Sequence, residues 1–396
     1  INIEKINKYK MGIDITKEIG DKKLKECKIK FSSDFNVIKE CDYVIITVPT
    51  PIDEEYKPNL LYLENATKMV AEKIKSGTTI IYESTVYPGT TEKICIPLIE
   101  KISNKKLNQD FFVGYSPERI NPGDTKHRFE NINKLVSGSN NETTEKIADL
   151  YQRCLKADVI KVSSIKVAEA SKIIENSQRD VNIAFINEMA KILHSLNVDT
   201  KEVLEAASTK WNFLNFRPGL VGGHCIGVDP YYLIYEAEKL NVSPNMLLTS
   251  RNINENMKQF IIENLKDILK KNGINLKDAR ILIKGITFKE NIPDIRNSKV
   301  IDIIKELKRC GLEVYIEDYN VEQEELKNLY NMTLSSKIPK VDVIVFAVKH
   351  QKYCEMKIED IDKLYRENAN KKILFDLGYI FDKAFFEERG YEIWTL

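Results

Sequence analysis

The seven cysteines form no pattern: Cys27, Cys41, Cys95, Cys154, Cys225, Cys310 and Cys354 stand singly, with no CxxC pair and an odd total. This argues against a disulfide framework and against a structural zinc site, and no metal is expected. No run approaches the roughly 18 apolar residues of a membrane span, and the first residues carry no apolar signal-peptide core. The expectation is a cytoplasmic protein with no membrane partner. A surplus of charge is missing too, because 60 basic residues against 59 acidic ones leave +1. The many lysines therefore give no ground for a nucleic-acid partner, and phosphate recognition must be local. Short-period repeats and low-complexity segments are absent, which sets aside solenoids and disordered tails. Before Tyr43 there is also no G-x-G-x-x-G turn of the kind that opens a dinucleotide-binding sheet. Either that opening unit is absent from this chain or the first sheet is not a cofactor domain, and residues 1–12 (INIEKINKYKMG), which read like the stretch after a second strand, favour the first.

What is present is enough for two or three domains, since 396 residues at 43% hydrophobic composition bury several cores. From Tyr43, short β-branched runs alternate with amphipathic stretches: YVIITVP (43–49), a helical pattern near 61–75, TIIYES (79–84), a helix after Pro88, and FFVGYSPE (111–118). A second alternation comes late, with ARILIKGITF (279–288), a helix from about Ser298, EVYIEDY (313–319), VDVIVFAVK (341–349) and KKILFDLG (371–378). Such alternation is the pattern of parallel α/β sheets. Between them helical periodicity dominates, broken by a glycine-rich loop at 217–230. The fold class is read as α/β, with two doubly wound, Rossmann-like domains joined by a helical middle domain and the active site at their cleft. The divisions fall at 1–164, 165–272 and 273–396.

The densest local signal is RPGLVGGHCIGVDPYYL (217–233), where Gly219, Gly222, Gly223 and Gly227 crowd around Cys225. Glycines let backbone approach a ligand and clear bulk from around a thiol. A lone cysteine in a tight turn is most often buried and inert, but the glycine crowding, His224 beside it and Asp229 a helical turn later favour a nucleophile. Lys172, Asn176 and Arg179 recur at i, i+4 and i+7 and share a helix face. Alone they would be a solvated stripe. Ile173, Val181 and Ala184 already supply a core face, however, and Lys with Arg suits a phosphate-bearing substrate. ESTVYPGTTEK (83–93) sets Ser84 and Thr85 at the carboxyl end of a strand, where open α/β sheets bind ligands. YSPERINPGD (115–124) does the same with Glu118 and Arg119, though both segments are also ordinary turn chemistry. GITFKENIPDIRNSK (285–299) puts Phe288, Lys289 and Arg296 between a strand and a helix, a place to hold pyrophosphate or base, or simply a capped helix start.

Taken in order, ESTVYPGTTE, YSPERINPGD, AEASKIIENSQRDVNIAFINE, TKWNFLNFRPGLVGGHCIGVDPYYL and GITFKENIPDIRNSK resemble motifs of the UDP-glucose/GDP-mannose dehydrogenase family, and the resemblance runs from Ile1 to nearly the end. PERINPGD and residues 209–233 are similar to the branch that makes N-acetylhexosaminuronic acids for capsules and O-antigens, the UDP-N-acetylglucosamine and UDP-N-acetylgalactosamine 6-dehydrogenases. The resemblance implies NAD as cofactor, a UDP-sugar as substrate, and four-electron oxidation of C6 through a thiohemiacetal and thioester. It implies Cys225 as nucleophile, Lys172 stabilising oxyanions at C6, and Asp229 positioning water or Lys172. Glu118 and Thr85 would orient the hydrolytic water. Arg119, Ile120, Asn176, Arg179, Gly219, Phe288 and Lys289 would fall on substrate contacts, and Thr50, Thr85 and Arg296 on NAD contacts. The family also implies a homodimer through the helical middle. Where members often carry a basic residue after the last domain's strand aspartate, Asp376 is followed here by Leu377, so no contact is assigned there.

UDP-N-acetylmannosamine and UDP-glucose are the alternative sugars. A single-step hydroxyacid-type dehydrogenase shares a first sheet, a helical domain and a helix-borne lysine and asparagine, but needs neither Cys225 nor the segment 279–378. A catalytically silent nucleotide-sugar binder or regulatory subunit would show affinity without turnover; Cys225, Lys172 and Glu118 together weigh against it.

Overall fold

The computed structural model describes residues 2–16, 19–121, 124, 126–367 and 371–396. Ile1, and Pro122 and Gly123 of the motif at 115–124, lie outside the described residues. The chain divides into two compact units, Ile1–Glu175 with Tyr231–Leu240 and Asn176–Pro230 with Asn241–Leu396.

In the first unit five strands lie in sequence order: β1 (Tyr43–Ile46), β2 (Thr78–Tyr82), β3 (Phe111–Tyr115), β4 (Lys134–Gly138) and β5 (Val159–Lys161). β1, β2 and β3 run parallel, β4 turns antiparallel to β3, and β5 is parallel to β4. β2 reads TTIIY and is buried at every position, as a central strand covered on both faces must be. Helix Asn141–Gln152, capped by the Asn140 side chain, packs Ile147, Ala148 and Tyr151 against Ile81 and Val136. The helix after Pro88 opens with a π turn, Thr91–Cys95, before Ile96–Ser103. Because β4 is antiparallel, its first residue, Lys134, comes to the sheet edge where β2 and β3 end, the edge at which such sheets bind ligands. β4 and β5 are too short and too mixed in composition for the alternation to single out.

The second unit carries β6 (Arg280–Lys284), β7 (Glu313–Glu317), β8 (Val343–Phe346), β9 (Lys372–Asp376) and β10 (Tyr391–Thr395), all parallel, in the spatial order β10-β9-β8-β6-β7. The chain leaves β6 to one side for β7 and returns to the other for β8. The carboxyl ends of β6 and β8 thus flank a topological switch point, the ligand crevice of doubly wound sheets. β8 shows why the strands are so apolar: Val343 and Val345 join one core while Ile344 and Phe346 join the core of the opposite face. Helices Met257–Lys271 and Lys299–Arg309 fill the first of these with Ile261, Leu265, Ile303 and Leu307. The longest element is the helix Ile165–Ser195, 31 residues. The protein is therefore α/β with two Rossmann-like sheets and a helical central region, as the alternating pattern predicts.

Candidate active site

Cys225 lies in the turn just before helix Asp229–Lys239, and its side chain is exposed. Its carbonyl accepts from Val228 N at 3.0 Å and Asp229 N at 2.8 Å, so the residue bearing the thiol also starts the helix. Gly223 has φ +82°, a conformation that costs any residue with a Cβ, and a Cβ there would meet the Phe288 ring at 2.8 Å. At Gly222 a Cβ would stand 2.8 Å from the Asn297 carbonyl. The two glycines let the thiol turn lie directly on the loop that follows β6. Gly223 N donates to Asn297 O at 3.2 Å, His224 stands 3.5 Å from Asp294, and its ring meets Phe288 edge-on. Asp294 also receives Arg296 Nε at 2.9 Å and Nη2 at 2.6 Å. Burial alone would raise the Asp294 carboxyl, but His224 and Arg296 hold it well below the usual carboxylate range. The motifs at 217–233 and 285–299, far apart in sequence, thus form one surface beside the switch point.

The long helix supports that surface. Asn176 Nδ2 donates to Asp229 Oδ2 at 2.5 Å, both residues buried. Asn187 brackets Gly219, donating to its carbonyl at 3.0 Å and accepting from its N–H at 2.8 Å. Beneath them Arg251 is fully buried, with Nη1 2.6 Å from Asp180 and Nη2 on Glu255, which takes Lys299 at 2.6 Å. Burial pushes Asp180 up despite Arg251. Lys172, Asn176 and Arg179 do share a helix face, in graded exposure: half-buried, buried and exposed. Of the three residues read as the core face, Ile173 and Ala184 are buried and Val181 only half-buried.

In the first unit the loops after β1 and β2 are stitched into one rim. Ser84 Oγ donates to Val48 O and Thr50 Oγ1 to Thr85 O, each at 2.6 Å, and Tyr232 OH donates to Thr50 O. Glu169 on the long helix accepts Gly89 N at 2.5 Å and Thr91 N at 2.9 Å, and burial pushes its carboxyl up to about 7. Glu118 Oε1 accepts Arg119 N and Ile120 N, each at 2.5 Å, while the Arg119 guanidinium pairs with Glu175.

For NAD the donor chemistry of this rim decides the fit. Neutral hydroxyls and carbonyls at the ends of β1 and β2 suit a ribose and a carboxamide, so Thr50 and Thr85 fit the uncharged part of the cofactor. Among the described residues before Tyr43 the glycines are Gly12 and Gly20, and they form no phosphate-cradling turn. No group of three or more His, Cys, Asp or Glu side chains able to hold a metal occurs among the described residues. None of their helices is long and apolar enough to cross a membrane.

Several supporting residues escape sequence reading. Asn187, Arg251 and Asn254 look like surface polar residues of helices, and only their place on otherwise buried faces, such as Asn187 between Ala184 and Ala190, signals a role. His350 is fully buried after β8; its Nδ1 accepts Asn291 N at 2.8 Å and its Nε2 lies 3.2 Å from Asp318, which anchors the 285–299 loop.

Comparison with known proteins shows the family. Residues 1–155 match the NAD binding domain of the UDP-glucose/GDP-mannose dehydrogenase family, 166–256 its central domain and 282–383 its UDP binding domain. The chain is 48% identical over 384 residues to protein CapL of Staphylococcus aureus, covering 96% of this chain and 88% of CapL. It is 46% identical to a UDP-N-acetyl-D-glucosamine 6-dehydrogenase of Salmonella typhi, over 96% of this chain and 89% of that protein. The solved structure of a UDP-D-ManNAc dehydrogenase from Pyrococcus horikoshii superposes with TM-score 0.89 at 30% identity, covering 100% of this chain and 91% of that one. The chain belongs to the UDP-glucose/GDP-mannose dehydrogenase family and is an NAD-dependent nucleotide-sugar dehydrogenase.

Proposed function

We propose that this enzyme oxidises the C6 hydroxyl of a UDP-N-acetylhexosamine to the carboxylate, in the cytoplasm and as a homodimer, supplying uronic acids for a surface polysaccharide. The observation that carries the reading is the exposed Cys225 thiol, set on a turn that Gly222 and Gly223 press against Phe288 and Asn297. Relatives at 45–48% identity support the sugar class, two of them named UDP-N-acetyl-D-glucosamine 6-dehydrogenase. We assign residues 1–164 to NAD binding, 165–272 to the helical dimerisation region that bears the thiol, and 273–396 to the UDP-sugar.

NAD, when bound, accepts the hydride of each of the two oxidations, and Thr50, Thr85 and Arg296 are the residues assigned to hold it. Arg119, Ile120, Asn176, Arg179, Gly219, Phe288 and Lys289 seat the UDP-sugar. After the first oxidation the Cys225 thiolate adds to the C6 aldehyde; the C–S bond forms and the carbonyl pair moves to oxygen. Lys172 stabilises that oxyanion, and the C–S bond to Cys225 spares the enzyme the loss of a free aldehyde. After the second oxidation C6 is a thioester. Glu118 and Thr85 orient water onto it, Asp229 holds the water or Lys172, and the C–S bond breaks with its pair on sulfur. Asn176, bonded to Asp229, keeps that carboxylate in place.

The test is to count NADH per sugar with limiting UDP-N-acetylglucosamine and excess NAD. Two NADH per sugar, lost in Cys225→Ser, is the expected result. One per sugar would indicate a simple alcohol dehydrogenase, and turnover with UDP-glucose alone would overturn the sugar assignment.

A further inference from the structure

Lys134 opens β4 and is only 4% exposed. A buried ammonium is costly unless paired, and this one is shared between two carboxylates. Its Nζ stands 3.0 Å from Glu83 Oε1, 3.9 Å from Glu118 Oε2 and 3.4 Å from the Pro117 carbonyl. The rings of Tyr151 and Phe129 flank it at 4.9 Å and 5.5 Å. Glu83, in turn, accepts the Tyr151 hydroxyl at 2.5 Å. Burial and the neighbouring Glu83 push the Tyr151 phenol up, so it keeps its proton as the donor. The Arg119 guanidinium next to Glu118 in sequence pairs with Glu175 rather than with Glu118.

Both oxygens of Glu118 therefore have partners, Oε1 through hydrogen bonds and Oε2 through a longer ion-pair contact. Oε1 takes two backbone N–H groups, and Oε2 faces Lys134, while the side chain as a whole stays 39% exposed. The two N–H donors anchor Oε1, and the attraction of Lys134 at 3.9 Å draws Oε2 toward it, which biases the plane of the carboxylate. Glu83 alone would neutralise Lys134, so charge balance does not account for the placement beside Glu118.

We propose that Lys134 is a positioning residue for the water step: it fixes the carboxylate of Glu118 in the orientation that directs water at C6, and Glu83 with Tyr151 fixes Lys134. The proposal rests on the reading of Glu118 as the residue that orients the hydrolytic water. In that step water's oxygen bonds to C6, the C–S pair returns to sulfur, and water's protons go to the thiolate and to solvent. Both hydrides have already left, so an enzyme slowed only here releases two NADH per subunit in a fast first turnover and then crawls.

The experiment is stopped-flow measurement of NADH with the full-length protein. The variant is Lys134→Met combined with Glu83→Gln, which leaves no unpaired buried charge and keeps an acceptor for Tyr151. Lys134→Gln serves where the double variant does not fold. The expected result is a kcat lower by about ten-fold or more with KM for the sugar unchanged, and a burst of two NADH per subunit. A Lys134 variant that folds, turns over like the wild type and shows no burst overturns the proposal. Glu118→Gln separates the two ideas. If it bursts while the Lys134 variants do not, the role of Lys134 falls alone; if it turns over like the wild type, the reading of Glu118 falls and the proposal with it.

Discussion

Gly223 and Gly227 flank the same thiol, yet the structure asks different things of them. At Gly223 the positive φ and the Phe288 ring 2.8 Å from a would-be Cβ act together, so Gly223→Ala must move either the turn or the loop after β6. At Gly227 the nearest atom to a Cβ is 3.6 Å away, an ordinary contact. Gly223→Ala should lower kcat/KM by about ten- to a hundred-fold, as a displacement near 1 Å does, whereas Gly227→Ala should stay within about two-fold. Steady-state kinetics on the two proteins decides it, and equal losses would count against the close-approach argument. The sequence shows the crowd of glycines but not which of them faces a ring, because that ring, Phe288, belongs to a distant segment. Thiol chemistry divides in the same manner. Cys95 is buried and pushed up to about 12 by that burial, while Cys27, Cys154, Cys225 and Cys354 are exposed. Iodoacetamide at pH 8 should therefore alkylate Cys225 with loss of activity and leave Cys95 unmodified until the protein is unfolded, as peptide mapping by mass spectrometry would show.

At the scale of elements, Glu169 joins the long helix to the loop after β2, and its protonation reports on that joint. Burial raises the carboxyl from 4.5 to about 7, against the pull of its two N–H donors. A raised folded value means the folded state holds the proton more tightly. The contribution is therefore complete below pH 4.5 and is lost as pH rises through 7. The stability of the wild type relative to Glu169→Gln should shrink by at most about 3 kcal/mol between pH 4.5 and pH 7.5. Denaturant titrations of both proteins at the two pH values measure it, and a gap that stays flat or widens with pH would contradict the assignment. Strands as regular as VDVIVFAVK are legible because both faces are buried. β4 and β5 are not, since KLVSG and VIK are short and their pairing depends on β3 rather than on any local preference. With β4 unseen, Lys134 reads as one more surface lysine. Its burial follows from a register that only the assembled sheet defines.

For the molecule as a whole, the apolar face left bare on the long helix carries the argument for self-association. Val167, Ile174, Phe185 and Ile192 are exposed by 42%, 58%, 55% and 48%, on a helix whose opposite side buries Ala168, Ile173, Ala184 and Ala190. Steps of 7, 11 and 7 residues return to within about 20° of the same direction at 3.6 residues per turn, so the four form one stripe. A stripe of this length, about 40 Å on a helix rising 1.5 Å per residue, is what a monomer avoids exposing, and under the proposed homodimer a second copy of the same helix covers it. Helical periodicity alone shows that the helix exists; it does not show that one apolar side is left over, because Ile173 and Ile174 look equally suited to a core. Phe185→Glu combined with Ile174→Glu places charge on the stripe and changes no residue assigned to the active site. The wild type should sediment as a dimer at micromolar concentration and the double variant as a folded monomer. A wild type that sediments as a monomer, or a variant that remains a dimer, would remove the long helix as the dimer contact.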